Sequence, residues 1–271
     1  MQTLKNKVVV ITGAGNGIGR SLAILLANQG AKLALNSRTL ENLEETARLL
    51  NIDEANLLTS AFDISKKEAV FEFAEAVNQH FGRVDIVINN AGVAIAGLSF
   101  EELEIEDFEW IFSINFMGVV LTSKAFLPLL RKNKEDTTLV NISSVFGLVP
   151  MVLKTPYCAT KYAVTGFTDC LRMELESTSI NVIGVYPGGV KTGVTLNALK
   201  AEKEPEYAKE FNKNLKMEPA KAAQIIVDGI LGKKEKVIIG NDARKAIFAH
   251  RYLPFVFKKF ARQTMQKFKP V

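Results

Sequence analysis

Short apolar runs alternate with segments of helical periodicity over residues 7–240 of the 271-residue chain. The run Val8-Val9-Val10-Ile11 predicts a buried strand, and leucines at helical spacing follow it. Strands that alternate with helices are typical of a doubly wound parallel sheet, with a ligand at the carboxyl ends of the strands. The pattern predicts a single α/β domain. Further strands are predicted at residues 32–35, 84–88, 139–142 and 181–185.

A glycine-rich turn lies between the first predicted strand and the first predicted helix. Its sequence is Thr12-Gly13-Ala14-Gly15-Asn16-Gly17-Ile18-Gly19. Glycine allows positive φ and lets the backbone approach a pyrophosphate, whose charge is met by free N–H groups at the helix N-terminus. Such a segment can also be only a turn, but its position between strand and helix favours dinucleotide binding.

The end of the second predicted strand bears on the choice of dinucleotide. A site for NAD usually has an Asp or Glu here that accepts hydrogen bonds from the ribose, whereas this chain has Asn36-Ser37-Arg38. An Arg fork can hold a 2′-phosphate and stack on adenine. We therefore expect NADP(H) rather than NAD(H). In the alternative interpretation Arg38 is a surface residue at a strand end, and Asn16 supplies no second basic group.

Tyr157 and Lys161 lie four residues apart in a segment with helical character, so a helix brings both side chains onto one face. The unperturbed pKa of a phenol is about 10, and an adjacent cation favours the phenolate and so lowers that pKa. The pair is a candidate proton donor for carbonyl chemistry. Pairs at this spacing are also common on solvated helix faces, so the rest of the chain must decide.

Several motifs follow one another in a recognisable order along the chain. They are the glycine turn, Asn89-Asn90-Ala91-Gly92, Asn115, Ser143-Ser144, the Tyr157/Lys161 pair and Pro187-Gly188-Gly189-Val190-Lys191-Thr192. With these motifs the chain resembles the short-chain dehydrogenase/reductase (SDR) family over roughly residues 5–240. The resemblance implies a Rossmann fold and an oxidoreductase that interconverts a carbonyl and an alcohol with a nicotinamide cofactor.

The resemblance also implies a catalytic set of Asn115, Ser144, Tyr157 and Lys161. Ser144 would hold the substrate carbonyl oxygen, whereas Ser143 lies one residue off the family spacing. Tyr157 would give the proton, and Lys161 would lower the pKa of Tyr157 and bind the nicotinamide ribose. Asn115 would hold a water that links the lysine to solvent. Preorganised donors at the oxygen stabilise the charge that develops in the transition state.

The cofactor contacts follow from the same resemblance. Residues 63–64 would flank the adenine, residues 90–92 would line the ribose side, and residues 190 and 192 would meet the nicotinamide amide. Asp63 has the alternative of capping a helix that begins near Ser65, and Val190 has that of ordinary loop packing. The implied set is Gly13, Asn16, Gly17, Ile18, Gly19, Ser37, Arg38, Asp63, Ile64, Asn90, Ala91, Gly92, Tyr157, Lys161, Pro187, Gly188, Val190 and Thr192.

Composition agrees with a soluble globular enzyme, since 48% of residues are hydrophobic and 23% are charged. The two cysteines, Cys158 and Cys170, fall on one predicted helix about 18 Å apart, too far for a disulfide. Neither they nor the two histidines have metal-ligand spacing, so we expect no metal. The first residues do not resemble a signal peptide, so we expect a cytoplasmic protein, with peripheral contact to the inner face of a membrane left open.

Residues 190–217 correspond by resemblance to the substrate lid, which closes over the nicotinamide. Apolar residues near the site suggest a hydrophobic carbonyl substrate, although they could equally belong to the core or to a subunit interface. The resemblance implies a homodimer or homotetramer built on the helix beginning near Thr160 and on the helix before it. The apolar residues are Phe146, Leu148, Val149, Met151, Val152 and Leu153.

Basicity is concentrated at the C-terminus. Residues 233–271 carry eleven Lys or Arg and two acids, a charge of +9 against +5 for the whole chain, so the rest carries about −4. After a catalytic domain at 1–240, the extension 241–271 therefore predicts a basic amphipathic helix. Its apolar positions, with Thr264 in the same stripe, recur every three or four residues: Leu253, Val256, Phe257, Phe260, Thr264 and Phe268.

Three interpretations of this extension stay open. It packs on its own body or a sister subunit, it lies on an anionic membrane, or it binds nucleic acid, which is the least favoured. No run was expected to reach the ~20 apolar residues that span a bilayer, so any membrane contact would be peripheral.

The sequence thus predicts an NADP(H)-dependent SDR enzyme that reduces a fairly hydrophobic ketone or aldehyde, with Tyr157 as acid and base. The rival hypothesis is a dinucleotide-binding scaffold or redox sensor that turns over little and engages membranes or partners through its basic extension.

Overall fold

The computed structural model describes residues 4–193, 198–213 and 215–268. Within these ranges seven strands form one parallel sheet in the order β3-β2-β1-β4-β5-β6-β7. The doubly wound parallel sheet predicted from the sequence is confirmed. The strands are β1 (Val8–Ile11), β2 (Lys32–Ser37), β3 (Leu57–Ala61), β4 (Ile86–Asn89), β5 (Thr137–Ile142), β6 (Ile180–Pro187) and β7 (Lys236–Ile239).

Helices cover both faces of the sheet, as parallel strands joined by crossovers require. One core cluster packs β1, β2 and β6 against helices α1 and α8, and a second packs the opposite face against α3 and α5. In the described chain the α-helices are α1 (Gly17–Asn28), α2 (Leu40–Leu49), α3 (Lys67–Phe81), α4 (Ile105–Phe112), α5 (Gly118–Lys132), α6 (Thr155–Glu174), α7 (Pro205–Lys213), α8 (Pro219–Leu231), α9 (Asn241–Tyr252) and α10 (Pro254–Phe268).

The strand order reverses direction between β1 and β4. From β1 the chain proceeds outward to β2 and β3, and it then returns to β4 on the other side of β1. Loops at the carboxyl ends of these two strands therefore diverge, which opens a crevice where α/β proteins bind ligands.

Helix α6 carries the Tyr157/Lys161 pair and both cysteines. It begins at Thr155, with Pro156 in its first turn, and not near Thr160, because proline is well suited to the start of a helix. Both cysteines are free. Helices α5 and α6 are the two to which the family resemblance assigns the subunit interface, and that assembly stays a prediction.

One helical stretch corrects the expectation that no segment is long and apolar enough to cross a membrane. Residues Ile105–Lys132 meet both criteria of length and composition. Much of this stretch is core of the protein, since Ile111, Phe126 and Leu130 are completely buried. Of its most apolar window, 44% is buried, so packing within the fold accounts for part of its apolar character.

The C-terminal residues form α9 and α10. Ala243 of α9 is buried against Val145 and Val149. Along α10 the partly buried positions are Phe257, Ala261, Thr264, Met265 and Phe268, whereas Leu253, Val256 and Phe260 of the predicted apolar stripe are exposed. The predicted apolar stripe therefore includes positions that lie outside the packed face of α10. The division into 1–240 and 241–271 stays a prediction.

Candidate active site

A cleft of about 280 Å³ opens at the carboxyl ends of the strands, at the reversal between β1 and β4. It is lined by all of the sequence-predicted site residues except Gly19 and Asn115. These two lie directly behind the lining, because Gly19 packs on Gly13 and Asn115 packs beside Gly92. The parallel sheet has thus gathered residues from eight separate segments into one site.

The glycine turn forms the floor of the cleft. Gly13 and Gly17 have positive φ, at +66° and +54°, a conformation that costs glycine little. A Cβ on Gly15 would lie 2.5 Å from Ser37 Oγ, so no side chain fits there. The backbone is left bare at the N-terminus of α1, and this cradle fits the pyrophosphate of a dinucleotide.

Thr12 fixes the cradle to the next loop and was not singled out from the sequence. Its Oγ1 accepts hydrogen bonds from the backbone N–H groups of Asn90 and Ala91, both at 3.0 Å. Asn90 Nδ2 donates in return to the carbonyls of Thr12 and Gly13. A threonine directly before the glycine turn is the sequence signal that could have found this link.

The end of β2 presents Arg38 to the cleft. Its side chain is exposed and forms no hydrogen bond or ion pair with any residue that the structure describes. Asn36, by contrast, is buried, and its Nδ2 donates to the carbonyls of Ser60 and Phe62. The guanidinium of Arg38 therefore remains available for a ligand, beside Thr39 and Asn42 on the same wall.

Asp63 and Ile64 line the cleft beyond β3. Asp63 Oδ1 accepts a hydrogen bond from Ser65 N at 2.9 Å. Helix α3 begins two residues later, at Lys67, with Lys66 as its N-cap. Asp63 therefore holds the turn that leads into the helix, rather than the first turn of the helix itself, and it does so from the wall of the cleft.

The two adjacent serines after β5 have different surroundings. Ser143 Oγ donates to the carbonyl of Lys161 at 2.8 Å and lies 3.1 Å from Thr165 Oγ1, so it joins β5 to α6. Ser144 Oγ accepts from Phe146 N and forms a hydrogen bond with Tyr157. Only Ser144 is thus coupled to the predicted acid, in agreement with the family spacing.

Burial has the largest effect on the pKa values of Tyr157 and Lys161, and the neighbouring lysine does not set that of the tyrosine. Burial raises the pKa of Tyr157 to about 12, while the hydrogen bond with Ser144 acts in the opposite direction. Burial also lowers the pKa of Lys161 to about 8. The expected lowering of the tyrosine pKa by Lys161 is wrong for this structure. Lys161 Nζ lies 5.7 Å from the ring centroid of Tyr157 and donates to the carbonyl of Ile142.

Asn115 lies in a π-helical turn, Ser113–Met117, between α4 and α5. Turns of this kind are often found at functional sites. Its Oδ1 accepts from Val93 N at 2.8 Å, and its Nδ2 donates to Val93 O at 2.9 Å and to Thr160 Oγ1 at 3.3 Å. Asn115 thus joins the loop after β4 to α6, and the water-holding role stays a prediction.

The C-terminal segment contributes to the cofactor wall, which the sequence did not indicate. Asp242 of α9 accepts a hydrogen bond from Gly189 N at 2.7 Å and packs on Gly188, so that a side chain at position 188 would collide with it. Val190 is buried in the core and also lines the cleft, and its contact with the nicotinamide amide stays a prediction.

The predicted lid, residues 190–217, includes α7, while residues 194–197 and 214 lie outside the described residues. Phe146 lies between Tyr157 and Phe211 of α7, with centroid distances of 6.4 Å to each ring. Val149 and Leu153, two of the predicted pocket residues, are buried. An aromatic contact therefore connects the lid to the candidate acid.

Lys154 is a buried cation against α7 that sequence reasoning missed. Its Nζ donates to the carbonyl of Ile95 at 2.8 Å and lies 4.9 Å from the ring centroid of Tyr207 and 5.3 Å from that of Phe211. No acidic residue pairs with it in the described chain. Burial lowers the pKa of Lys154 to about 8, while the Cys158 thiol acts weakly in the other direction.

Stability should therefore increase from pH 8 to pH 9. In this window the unfolded chain keeps the protons that folded Lys154 and Lys161 release, because their pKa values fall from 10.5 to about 8 on folding. We expect each lysine to add about 1 kcal/mol to the free energy of unfolding. Urea denaturation of Lys154→Met should show about half of the wild-type increase, and Lys132→Met, an exposed control, should show all of it. An unchanged increase in Lys154→Met would contradict the assignment.

Comparison with known proteins identifies the family of this chain. The family model for short chain dehydrogenases matches residues 7–203. The chain is 38% identical to "Putative oxidoreductase SadH" of Mycobacterium tuberculosis over 275 aligned residues, covering 100% of this chain and 99% of that protein. Both comparisons extend over the cradle, the serines and the Tyr-Lys pair.

Solved structures share the fold as well. A short chain dehydrogenase/reductase from Burkholderia phymatum in complex with NAD superposes with a TM-score of 0.85 at 26% identity, covering 96% of each chain. An alcohol dehydrogenase from the archaeon Thermococcus sibiricus, complexed with 5-hydroxy-NADP, has a TM-score of 0.73 at 29% identity and covers 87% of this chain and 96% of that one. The chain belongs to the short-chain dehydrogenase/reductase family of oxidoreductases, whose fold binds a nicotinamide dinucleotide.

Proposed function

We propose that this protein is an NADP(H)-dependent reductase that converts a fairly hydrophobic ketone or aldehyde into an alcohol. The observation that carries the proposal is the hydrogen-bonded pair of Ser144 and Tyr157 in the same cleft as the glycine cradle. Two hydroxyl donors that converge beside a dinucleotide site can hold one carbonyl oxygen between them.

Each residue of the candidate catalytic set has its own task in the proposed reaction. A bound nicotinamide dinucleotide supplies the hydride. Ser144 donates a hydrogen bond to the carbonyl oxygen, and Tyr157 gives its proton to that oxygen as negative charge develops there. Lys161 lies between Tyr157 and Gly92 and is positioned to bind the ribose. Asn115 holds the loop after β4 against α6 and so keeps the two sides of the cleft at a fixed separation.

The preference for an apolar substrate is supported by the aromatic side chains around the acid. Phe146 contacts Tyr157, and Phe211 and Tyr207 of α7 continue the same aromatic group. Aromatic and aliphatic walls favour apolar ligands, while a few polar groups fix their orientation. A panel of diketones, aldehydes and quinones with NADPH is the direct test. Cofactor binding without oxidation of NADPH by any member would favour the scaffold alternative.

The preference for NADP(H) rests on Arg38. Its guanidinium lies at the end of β2, where a carboxylate would select NAD, and it has no ion pair among the described residues. A planar guanidinium can form two charge-assisted hydrogen bonds with a phosphate. The related solved structures carry NAD in one case and an NADP derivative in another, so the choice depends on this chain's own residues.

The cofactor preference should be lost in Arg38→Ala. We expect NADPH to bind about 10- to 100-fold more weakly, because a hydrogen bond to a charged group contributes roughly 1.5–3 kcal/mol, with NADH affinity unchanged. Fluorescence titration of both cofactors measures this. Arg48→Ala, which removes an exposed arginine of α2 outside the cleft, is the matched control. Equal affinity of the wild-type protein for both cofactors would refute the NADP preference.

A further inference from the structure

The turn between α9 and α10 exposes an unusual amount of apolar surface. Tyr252, Leu253, Phe255 and Val256 lie within five residues, and their exposed fractions are 60%, 45%, 86% and 59%. We call residues 252–256 the apolar tip. Single exposed apolar side chains are normal, but four grouped at one turn indicate a surface that meets an apolar phase or a partner.

The fold holds the tip outward. Phe257, the next residue, turns back toward the body and packs on His250, with ring centroids 5.1 Å apart. Leu253 N and Phe257 N continue helical hydrogen bonds on the two sides of the turn. These contacts hold the ends of the two helices together, while the apolar side chains of the tip stay exposed.

Positive charge surrounds the tip without counter-charge. Arg251 precedes it, and Lys258, Lys259 and Arg262 follow it; none of these four has an ion pair within the described chain. No Asp or Glu occurs in the sequence after Asp242, while eight Lys or Arg do. The tip is thus an apolar point within a purely cationic collar, which is the arrangement that inserts into anionic lipid headgroups.

A second copy of the chain fits this surface poorly. In a two-fold dimer the same patch meets itself, so Lys258 and Lys259 would face a cationic patch of the same kind. Four side chains also offer little area compared with the roughly 800 Å² that each partner contributes to a stable interface. A lipid surface needs no such area, since apolar insertion and charge attraction add together.

We propose that the apolar tip and its cationic collar dock this protein peripherally on an anionic membrane surface. The other end of α10 packs on α7, where the rings of Phe268 and Tyr207 have centroids 5.0 Å apart and Lys267 pairs with Glu210 at 3.1 Å. The proposal itself does not depend on catalysis, so its test needs no substrate.

Sedimentation of the full chain with lipid vesicles tests the proposal. We expect binding to vesicles of phosphatidylcholine mixed with phosphatidylglycerol, and little binding to phosphatidylcholine alone. Lys258→Gln with Lys259→Gln should weaken binding by about 25-fold, since each basic residue near an anionic surface contributes roughly a factor of five. Phe255→Ser with Val256→Ser should weaken it at least as much, because the apolar insertion is lost.

A matched control separates insertion from general surface hydrophobicity. Phe100 and Ile105 are exposed to a similar extent elsewhere on the molecule, so Phe100→Ser with Ile105→Ser should bind vesicles as the wild type does. Far-ultraviolet circular dichroism verifies that every variant is folded. Absence of binding to anionic vesicles, or equal binding by tip and control variants, overturns the proposal. So does a tip variant that dissociates an oligomer in gel filtration, because the tip would then be a subunit contact.

Discussion

Replacement of Tyr157 by phenylalanine is expected to lower kcat for carbonyl reduction by about 10²- to 10⁴-fold, the contribution typical of a positioned proton donor. The change removes one oxygen and leaves the ring, which packs edge-on against Phe146. Ser144 loses its hydrogen bond with Tyr157 but keeps the one from Phe146 N, and in the proposed reaction it still holds the carbonyl oxygen. The lost activity therefore measures proton donation rather than the shape of the pocket.

The pKa of Tyr157 also predicts how reduction and oxidation should each depend on pH. Since burial raises that pKa to about 12, the phenol stays protonated throughout the neutral range and is ready to act as an acid. Oxidation of an alcohol would need the phenolate, which is scarce at pH 7. We therefore expect wild-type reduction to be nearly independent of pH between 6 and 8, and oxidation to accelerate as pH rises.

The matched control is Tyr162→Phe, on the same helix but with an exposed ring. It should retain wild-type kcat with any substrate found in the carbonyl panel. NADPH titration of Tyr157→Phe should give near wild-type affinity, which excludes a failure of the cofactor site. Full turnover by Tyr157→Phe would remove this residue from the mechanism and, with it, the proposed reaction.

The location of the site could be predicted because a parallel sheet gathers the ends of its strands. Gly13, Asn90 and Ser144 each follow a different strand, Ser37 and Pro187 are the last residues of two others, and all five line one cleft. Apolar runs and glycine turns mark strand ends in the sequence. The register along each strand then follows from pairing, so local patterns were sufficient for this part of the structure.

Electrostatics at the site could not be predicted in the same way. The spacing of Tyr157 and Lys161 indicates that they share a helix face, but the pKa values of both depend on burial, and that of Tyr157 depends also on the Ser144 hydrogen bond. Lys154 likewise has no motif, and its environment is built by Ile95, Tyr207 and Phe211 from distant segments. Burial is a property of tertiary packing, and no local pattern encodes it.

The C-terminal helix shows the limit of periodicity. A repeat of three or four residues gives the angular position of each side chain on α10, but not the partner that the helix meets. The structure packs Phe257 and Phe268 and leaves Phe260 exposed. Asp242, which holds Gly189 of the cofactor loop, lies beyond the residue at which the catalytic domain was expected to end. Contacts between distant segments determine both which side of α10 packs and where Asp242 binds.

Substitution of Gly19 by alanine is expected to weaken dinucleotide binding by at least tenfold. A Cβ at this position would overlap the carbonyl oxygen of Gly13 and lie 2.6 Å from Asn90 Nδ2. Neither neighbour can retreat freely, because Asn90 Nδ2 donates to Thr12 O at 2.9 Å and to Gly13 O at 3.0 Å. Relief of the overlap therefore moves the cradle away from the pyrophosphate position.

The same overlap should reduce the free energy of unfolding by about 1–3 kcal/mol, as overpacking of a tight contact usually does. Gly166→Ala is the matched control: nothing lies within 4 Å of its added Cβ, and it sits inside α6, so it should stabilise the protein by up to about 1 kcal/mol. Thermal melts and NADPH titrations of both variants distinguish the two effects. If Gly19→Ala binds NADPH as tightly as the wild type does, the cradle does not hold the pyrophosphate in the manner that its geometry requires. Loss of binding in a variant that still melts cooperatively would instead support a pyrophosphate site at this turn, because the protein would be folded and its cradle displaced.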